Sequence, residues 1–184
     1  IISTSSNVRF EVFNELVSSC SVDNVIFEKV LFQKESEYHI VRSILDEKNI
    51  NAWVNCPRRM YPIYKEIRSI LKGEVSVEMH VRGSNWGMAC NGIHFIDLFA
   101  YLTDEDSFKV ENTFLHKKTI ASKRLGFFEV EGVLTGKSNE GNEFSLSCLS
   151  DHSSLSIEIK SKNYKISIEE AEGRCEIKKA FNVD

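Results

Sequence analysis

Residues 74–102 read EVSVEMHVRGSNWGMACNGIHFIDLFAYL. Up to Arg82 the stretch alternates, with Val75, Val77, Met79 and Val81 on one side and Glu74, Ser76, Glu78, His80 and Arg82 on the other. That two-residue period is the mark of a strand with one face buried. From Gly87 to Leu102 the period becomes helical: Ala89, Ile93, Ile96 and Ala100 share one face, with Phe95, Phe99 and Leu102 beside it. A helix apolar nearly all the way round is expected to be buried. Strand then buried helix predicts a sheet with helices on one face.

Downstream, alternation returns in Phe128 to Leu134, in Phe144, Leu146 and Cys148, in Leu155, Ile157 and Ile159, and in Tyr164, Ile166 and Ile168. Asn139-Glu140-Gly141-Asn142, Ser161-Lys162-Asn163 and Glu172-Gly173 supply turns, so this part is expected to be a mainly antiparallel sheet with one solvated face. Upstream, Cys56-Pro57-Arg58-Arg59 breaks an extended segment. A helix through Ile63, Ile67, Ile70 and Leu71 then stops at Gly73.

The first 56 residues read differently. Ile1 to Thr4 is expected to be a strand, Ser5, Ser6 or Asn7 caps a helix carrying Phe10, Phe13, Leu16 and Val17, and Asn24 to Phe27 is the next strand. Tyr38, Val41, Ile44 and Leu45 mark a second helix before the extended residues 50–55. This is a βαβ pattern, which predicts parallel strands buried on both faces, the tail of a doubly wound α/β sheet. The chain opens on Ile1-Ile2 within an apolar run, from which further residues upstream are expected.

The 184 residues are 42% apolar and carry a formal net charge of −4 with acids and bases intermixed. That disfavours a nucleic-acid or anionic-membrane surface. No apolar run reaches the ~20 residues of a membrane helix, and the expected location is cytoplasmic. Cys20, Cys56, Cys90, Cys148 and Cys175 form no C-x-x-C pair and read as reduced, mostly buried thiols, with no metal site expected.

On the helix after Gly87, the residues Cys90, His94, Asp97 and Tyr101 form one polar stripe. A buried imidazole and carboxylate need partners, so His94 and Asp97 either satisfy each other in the core or face a cavity. Lys29 follows Val25, Ile26 and Phe27, near the carboxyl end of a parallel strand, where open α/β sheets bind ligands. It is either a surface lysine or a cation able to stabilise an alkoxide. Arg58 and Arg59 are a solvated turn or an anion clamp. Asn85 and Trp86 are core and loop residues or a polar contact and flat wall for a sugar. His39, His80, His116 and His152 are given no role.

Read in order, Ile2-Ser3-Thr4-Ser5-Ser6-Asn7, Val25 to Val30, Val54 to Arg59 and Gly87 to Leu102 resemble the family of glucose-fructose oxidoreductase and inositol dehydrogenase. The resemblance implies residues 1–56 as the end of a dinucleotide-binding Rossmann domain. Residues 57–184 would then be the substrate-binding and oligomerisation domain, with an open-faced sheet. Glu28-Lys29-Val30 is similar to the family's Glu-Lys-Pro motif with the proline replaced, and Cys90-Asn91-Gly92-Ile93-His94 with Asp97 is similar to its Asp-x-Gly-x-His followed by aspartate. Cys90 stands where the family has aspartate, and Arg9 where it usually has histidine.

The implied activity is hydride transfer between NAD or NADP and a sugar, sugar nucleotide or polyol. Lys29 and His94 would be catalytic, and Arg58, Asn85, Trp86, Cys90, Asn91 and Asp97 would contact substrate. Thr4, Ser5, Asn7, Glu28 and Lys29 would lie near the dinucleotide. No G-x-G-x-x-G occurs, so residues 1–184 alone are expected to be inactive. The alternative, favoured by Cys90 and Val30, is a non-catalytic binding or assembly protein of the same fold. A homodimer through the open sheet face is expected, with Phe127, Val133 and Leu149 among its contacts.

Overall fold

The structure, a computed structural model, describes residues 1–151 and 153–180, so His152 lies outside the described residues. The chain divides into two compact units, Ile1–Pro57 and Arg58–Asp184, each described by itself.

In the first unit, helix α1 (Arg9–Ser19), strand β1 (Asn24–Glu28), helix α2 (Glu35–Glu47) and strand β2 (Asn51–Asn55) follow in order. β1 and β2 pair in parallel, Val25 beside Ala52 and Phe27 beside Val54, as a right-length βαβ crossover requires. Phe13 and Val17 of α1, Val25 and Phe27 of β1, Val41 of α2, Phe32 and Ile50 converge on one core. The expected strand over Ile1 to Thr4 reduces to a single parallel bridge from Ile2 to Phe27. The expected side-chain cap of α1 is also absent. Val8 occupies the cap without a side-chain bond, because the Val8 N–H turns back to the Ser5 carbonyl at 3.2 Å and starts the helix one residue late. The strands are not buried on both faces, since Ile26, Trp53 and Val54 are exposed and β2 is an outer strand.

The second unit follows a 3-10 turn at Pro57–Met60 and opens with helix α3 (Pro62–Leu71), started by Pro62 and ended before Gly73 as the sequence predicts. Strand β3 (Glu78–Gly83) and helix α4 (Met88–Thr103) come next, then β4 (Phe108–Leu115), β5 (Ile120–Ala121), β6 (Phe128–Glu129), β7 (Gly132–Ser138), β8 (Glu143–Cys148), β9 (Ser156–Lys160), β10 (Tyr164–Glu169) and β11 (Arg174–Lys179). Seven strands form one sheet in the order β11, β10, β9, β3, β8, β7, β4, antiparallel throughout except for β3 beside β8. The β5–β6 pair stands apart as a small hairpin.

One face of the sheet carries Met79, Val81, Phe144, Leu146, Ile157, Ile159, Ile166 and Ile168, all buried against α3 and α4. The other face carries Glu78, His80, Arg82, Ser145, Ser147, Glu158 and Ser167, the polar half of each alternation. Three local departures have physical causes. Ser76 has φ +56°, so the alternation starts only at Val77 and Val75 is 64% exposed. The stretch from Phe128 to Leu134 is two strands, because its first residues pair with β5 and its last with β4 and β8. α4 is not buried all round: Met88, Gly92, Phe95, Leu98, Phe99 and Leu102 face the sheet, while Ala89 is exposed and Ile93 is 40% exposed.

β4 was not legible, since it is exposed along almost its whole length and so has no alternation to read. Its register against β7 slips by one residue between Val110 and Asn112, a β-bulge. The turn after β7 is fixed by the buried Asn142. Its Oδ1 accepts the Val77 N–H at 2.6 Å and its own N–H reaches Ser138 Oγ at 3.0 Å, which locks the entry of β3 to that of β8. Of the five cysteines only Cys148 is buried. Cys20 and Cys90 are exposed because each falls on the outer side of a helix end.

At the centre of the core the Phe144 ring packs against Phe99 at 5.2 Å and Phe108 at 5.8 Å, and over Gly136, where an added Cβ would fall 2.4 Å from the ring. Phe144→Ala is expected to cost about 3–5 kcal/mol of stability in urea unfolding. Phe114→Ser, on an exposed ring, is expected to change it by less than about 0.5 kcal/mol.

Candidate functional site

In the second unit, the chain from β3 to α4 turns through Asn85 with φ +55° and Gly87 with φ +74°. Three contacts fix this turn. The Trp86 indole N–H donates to the Ser147 carbonyl at 2.8 Å, and its ring meets Phe95 edge-on at 5.3 Å. The Asn91 side-chain amide donates to the Trp86 carbonyl at 2.7 Å.

Helix α4 begins without a capping side chain of its own, and Glu129 of β6 supplies one. Its carboxylate accepts the Ala89 N–H at 2.9 Å and the Cys90 N–H at 3.4 Å, placing a negative charge at the positive end of the helix. A Cβ on Gly87 would come within 3.0 Å of Glu129 Oε1, so a larger residue would strain both the backbone and the cap. The alternation of Glu129 and Glu131 places both carboxylates on one side, a signal present in the sequence; that they close the start of α4 is not.

Asn85, Trp86, Gly87, Cys90 and Asn91 form one wall of a cavity of about 310 Å³. The opposite wall is Ile120 to Lys123 of the β5–β6 hairpin, with Glu129, Val130, Glu131 and Cys148 completing it. Four of the residues singled out from the sequence, Asn85, Trp86, Cys90 and Asn91, are thus brought together. His94 is half-buried one turn further along α4 from Cys90.

The two remaining sequence candidates in this unit are held by ion pairs. Asp97 accepts the Arg59 Nε–H at 2.8 Å and pairs with Arg59 Nη2 at 2.7 Å, and the Arg59 guanidinium lies 5.5 Å from the Tyr101 ring centre. Arg58 forms a fork with Glu170, Nε to Oε1 at 2.8 Å and Nη2 to Oε2 at 2.6 Å, while its guanidinium stacks 4.3 Å above Phe95. The Tyr64 hydroxyl donates to the same carboxylate at 2.5 Å. Nothing in the sequence pointed to Glu170, which stands in a short 3-10 turn (Glu170–Glu172) between β10 and β11.

Burial opposes the charge on Glu170, but the hydrogen bonds from Arg58 and Tyr64 and the nearby positive charge of Arg58 outweigh it. Its carboxyl therefore titrates below the ordinary 4.5. Burial, helped by the Glu170 bond, pushes the Tyr64 hydroxyl far above its ordinary 10.0.

In the first unit, Lys29 follows β1 directly, and the Lys29–Val30 peptide bond is cis. Glu28 accepts the Lys29 N–H at 3.1 Å and the Asn55 side-chain amide at 2.9 Å, bridging the carboxyl ends of β1 and β2. The buried Arg9 donates to the carbonyls of Thr4, Val30 and Leu31, the last at 2.8 Å. One guanidinium thus ties the Thr4–Asn7 loop to the segment that follows Lys29. No residue before Gly73 is glycine, so this unit contains no glycine-rich phosphate cradle. Among the described residues, no group of His, Cys, Asp and Glu could hold a metal ion, and no helix is long and apolar enough to cross a membrane.

No protein-family model matches the sequence, nor does any curated protein sequence. Solved structures do match. A dehydrogenase (MviM) from Clostridium difficile superposes over 98% of this chain and 62% of its own at a TM-score of 0.67 and 18% identity. The WlbA dehydrogenase from Bordetella pertussis, solved with NADH and UDP-GlcNAcA, matches over 91% of this chain and 58% of its own at 0.67 and 15% identity. A super-repressor mutant of Gal80p from Saccharomyces cerevisiae matches over 98% and 61% at 0.66 and 14% identity. The chain therefore has the fold of these structures, and it spans roughly three-fifths of their length.

Because the folded pKa of Glu170 lies below the unfolded one, its pairing stabilises the fold fully above pH 4.5 and is lost as the pH falls through the lowered value. Glu170→Gln is expected to cost about 2–3 kcal/mol at pH 7, since it leaves Arg58 unpaired. The deficit relative to the unaltered protein should shrink as the pH is lowered from 4.5 towards 3 in urea unfolding.

Proposed function

We propose that the chain is the substrate-binding part of a cytoplasmic nicotinamide-dependent oxidoreductase that moves a hydride to or from a carbon of a sugar, sugar nucleotide or polyol. The observation that supports it is the cavity at the start of α4, where an indole ring, two side-chain amides and a thiol converge on a fold shared with dehydrogenases. A flat aromatic wall with fixed amide donors and acceptors suits a hydroxylated ring. The WlbA structure, holding a sugar nucleotide, supports the same substrate class.

Each residue has a part in this reading. The Trp86 ring and the Asn91 and Asn85 amides hold the sugar. His94 takes the hydroxyl proton when the alcohol is oxidised and returns it in reduction, a role suited to a side chain whose ordinary pKa is about 6.5. The Lys29 ammonium stabilises the negative charge that grows on the oxygen as the carbonyl forms. Arg58 and Asp97 act on the substrate indirectly, by fixing α4 through Phe95 and Arg59. A nicotinamide dinucleotide, when bound, accepts or gives the hydride, and Thr4, Ser5, Asn7, Glu28 and Lys29 would face it. The residues that would hold its pyrophosphate are not in this sequence.

In the complete protein, incubated with sugars, sugar nucleotides and inositols, NADH or NADPH formation at 340 nm tests the reading. His94→Gln and Lys29→Ala are each expected to lower turnover about 100-fold or more with the fold intact by circular dichroism. Wild-type turnover in both variants would refute the assignment. A second reading, a non-catalytic binding protein, is favoured by Cys90 and by the likeness to a repressor. Dinucleotide binding without turnover on any of these substrates would establish it.

The same reading includes a homodimer through the solvated face of the seven-stranded sheet. Val133 lies on that face and Leu149 just beyond β8, but Phe127 belongs to the β5–β6 hairpin and is not part of it. Ser145, Ser147, Ser156, Ser167 and Thr135 leave the centre of the face flat enough for a second copy to lie against it. Light scattering at micromolar concentration is expected to give twice the monomer mass, and a monomer at every concentration would dispose of the dimer.

A further inference from the structure

Over the whole chain acids and bases intermix to a formal net charge of −4, but the segment between Glu111 and Glu129 departs from that balance. It holds no carboxylate and carries Lys117, Lys118, Lys123 and Arg124, so the rest of the chain is more acidic than the whole. The same segment forms most of the β5–β6 hairpin, which stands apart from the seven-stranded sheet.

The hairpin presents apolar residues at its tip. The Ser122 N–H donates to the Phe127 carbonyl at 2.9 Å and the Phe127 N–H to the Arg124 carbonyl at 3.1 Å, closing a turn in which Gly126 has φ +81°. Glycine takes that conformation without strain. Leu125, beside it in the turn, is 99% exposed, and Phe128 is 64% exposed. Phe128 faces away from the cavity, because it alternates on the strand with Glu129, whose carboxylate turns to the first N–H groups of α4. Exposed apolar residues scattered singly are ordinary. A leucine and a phenylalanine presented together at the tip of a closed turn mark an interaction surface.

All four cations are exposed, and among the described residues none forms a salt bridge with a carboxylate. The Arg124 guanidinium lies 5.6 Å from the Phe127 ring centre, which sets a charge against the apolar tip. The carboxylates at the base of the hairpin are engaged elsewhere, Glu129 with α4 and Glu131 with Ser150 and, at 3.8 Å, His116.

We infer that the hairpin is a docking element for an anionic lipid bilayer, Leu125 and Phe128 entering the acyl region while Lys117, Lys118, Lys123 and Arg124 meet the headgroups. An apolar tip flanked by cations matches the two layers of such a surface. Lysine and arginine keep their charge among the headgroups while their carbon stems follow the apolar residues inward. The protruding tip favours a bilayer over an acidic protein, since a fluid phase yields to a convex shape whereas a protein needs a pocket to receive it. The rest of the chain, being acidic, is repelled by the same surface, which leaves the hairpin as the point of approach. This surface is independent of the catalytic role proposed for the cavity.

Cosedimentation of the chain with vesicles is the test. Binding is expected with phosphatidylcholine and phosphatidylglycerol in about equal parts, at least about tenfold weaker with phosphatidylcholine alone, and weaker as salt is raised. Leu125→Ser with Phe128→Ser, and separately Lys123→Glu with Arg124→Glu, should each weaken it about tenfold or more. Lys109→Glu with Lys165→Glu, an equal change of charge on the seven-stranded sheet, should alter it less than about threefold. In Leu125→Trp, which keeps the tip apolar, the added indole should be quenched by lipid with brominated acyl chains beyond any quenching of the unaltered protein. No binding to the anionic vesicles, equal binding to the neutral ones, full binding by the serine variant, equal losses in both charge-reversed variants, or an unquenched indole in Leu125→Trp would each overturn the inference. So would binding to polyglutamate that is as tight as to the vesicles and insensitive to the serine variant, which would assign the hairpin to an acidic protein.

Discussion

The seam between α4 and strand β8 fixes most of what the second unit can do. Phe95, Phe99 and Leu102 of the helix pack down on Phe144, Leu146 and Cys148 of the strand, and Phe108 closes the aromatic group edge-on. Burying a side chain of this size is worth about 1.5–3 kcal/mol, so the seam leaves the helix no freedom to rotate. Because the apolar residues are committed to the sheet, Cys90 is committed to the opposite side and Asn91 and His94 to the flank between. The same packing brings Trp86 against Phe95, and with it the whole turn that forms one wall of the cavity.

Charge reinforces that seam at the start and in the middle of the helix. Glu129 holds its first turn from the hairpin, while Arg59 bridges to Asp97 and Arg58 stacks on Phe95 with its far side bound by Glu170. Arg58 and Arg59, adjacent in sequence, therefore grip two different faces of one helix. In the first unit Arg9 has the comparable part. A buried cation satisfied by the carbonyls of Thr4, Val30 and Leu31 joins two loops that are distant in sequence and sets the backbone around Lys29.

The sequence made the elements with regular periods legible. The alternation at Met79 and Val81, in the strands from Phe144 onward, and the helical spacing at Phe13 and Val17 all depend on burial on one side, which writes itself into residue order. β4 and β11 were missed because edge strands with mostly exposed residues carry no such record. At the site, Asn85, Trp86, Cys90 and Asn91 could be singled out because they cluster around one turn. Glu129, Lys123 and Glu170 could not, since they arrive from elements 30 or more residues away in sequence, through tertiary pairing that no local pattern encodes. Arg58 and Asp97 were visible as charged residues, but their partners, Glu170 and Arg59, come from other elements that no local pattern joins to them.

The bulge in β4 has a consequence for strand addition at the edge of the sheet. An outer strand with Val110, Phe114 and Leu115 exposed is a template on which a second chain could add its own strand, and chains that can do so repeatedly grow into fibrils. The extra residue between Val110 and Asn112 interrupts the ladder of free backbone groups in mid-strand and increases the local twist, so a straight incoming strand finds no continuous register. At the opposite edge, β11 presents Arg174, Glu176, Lys178 and Lys179, whose charges resist a like neighbour. Neither outer strand of the sheet therefore offers an incoming strand an unbroken, uncharged register.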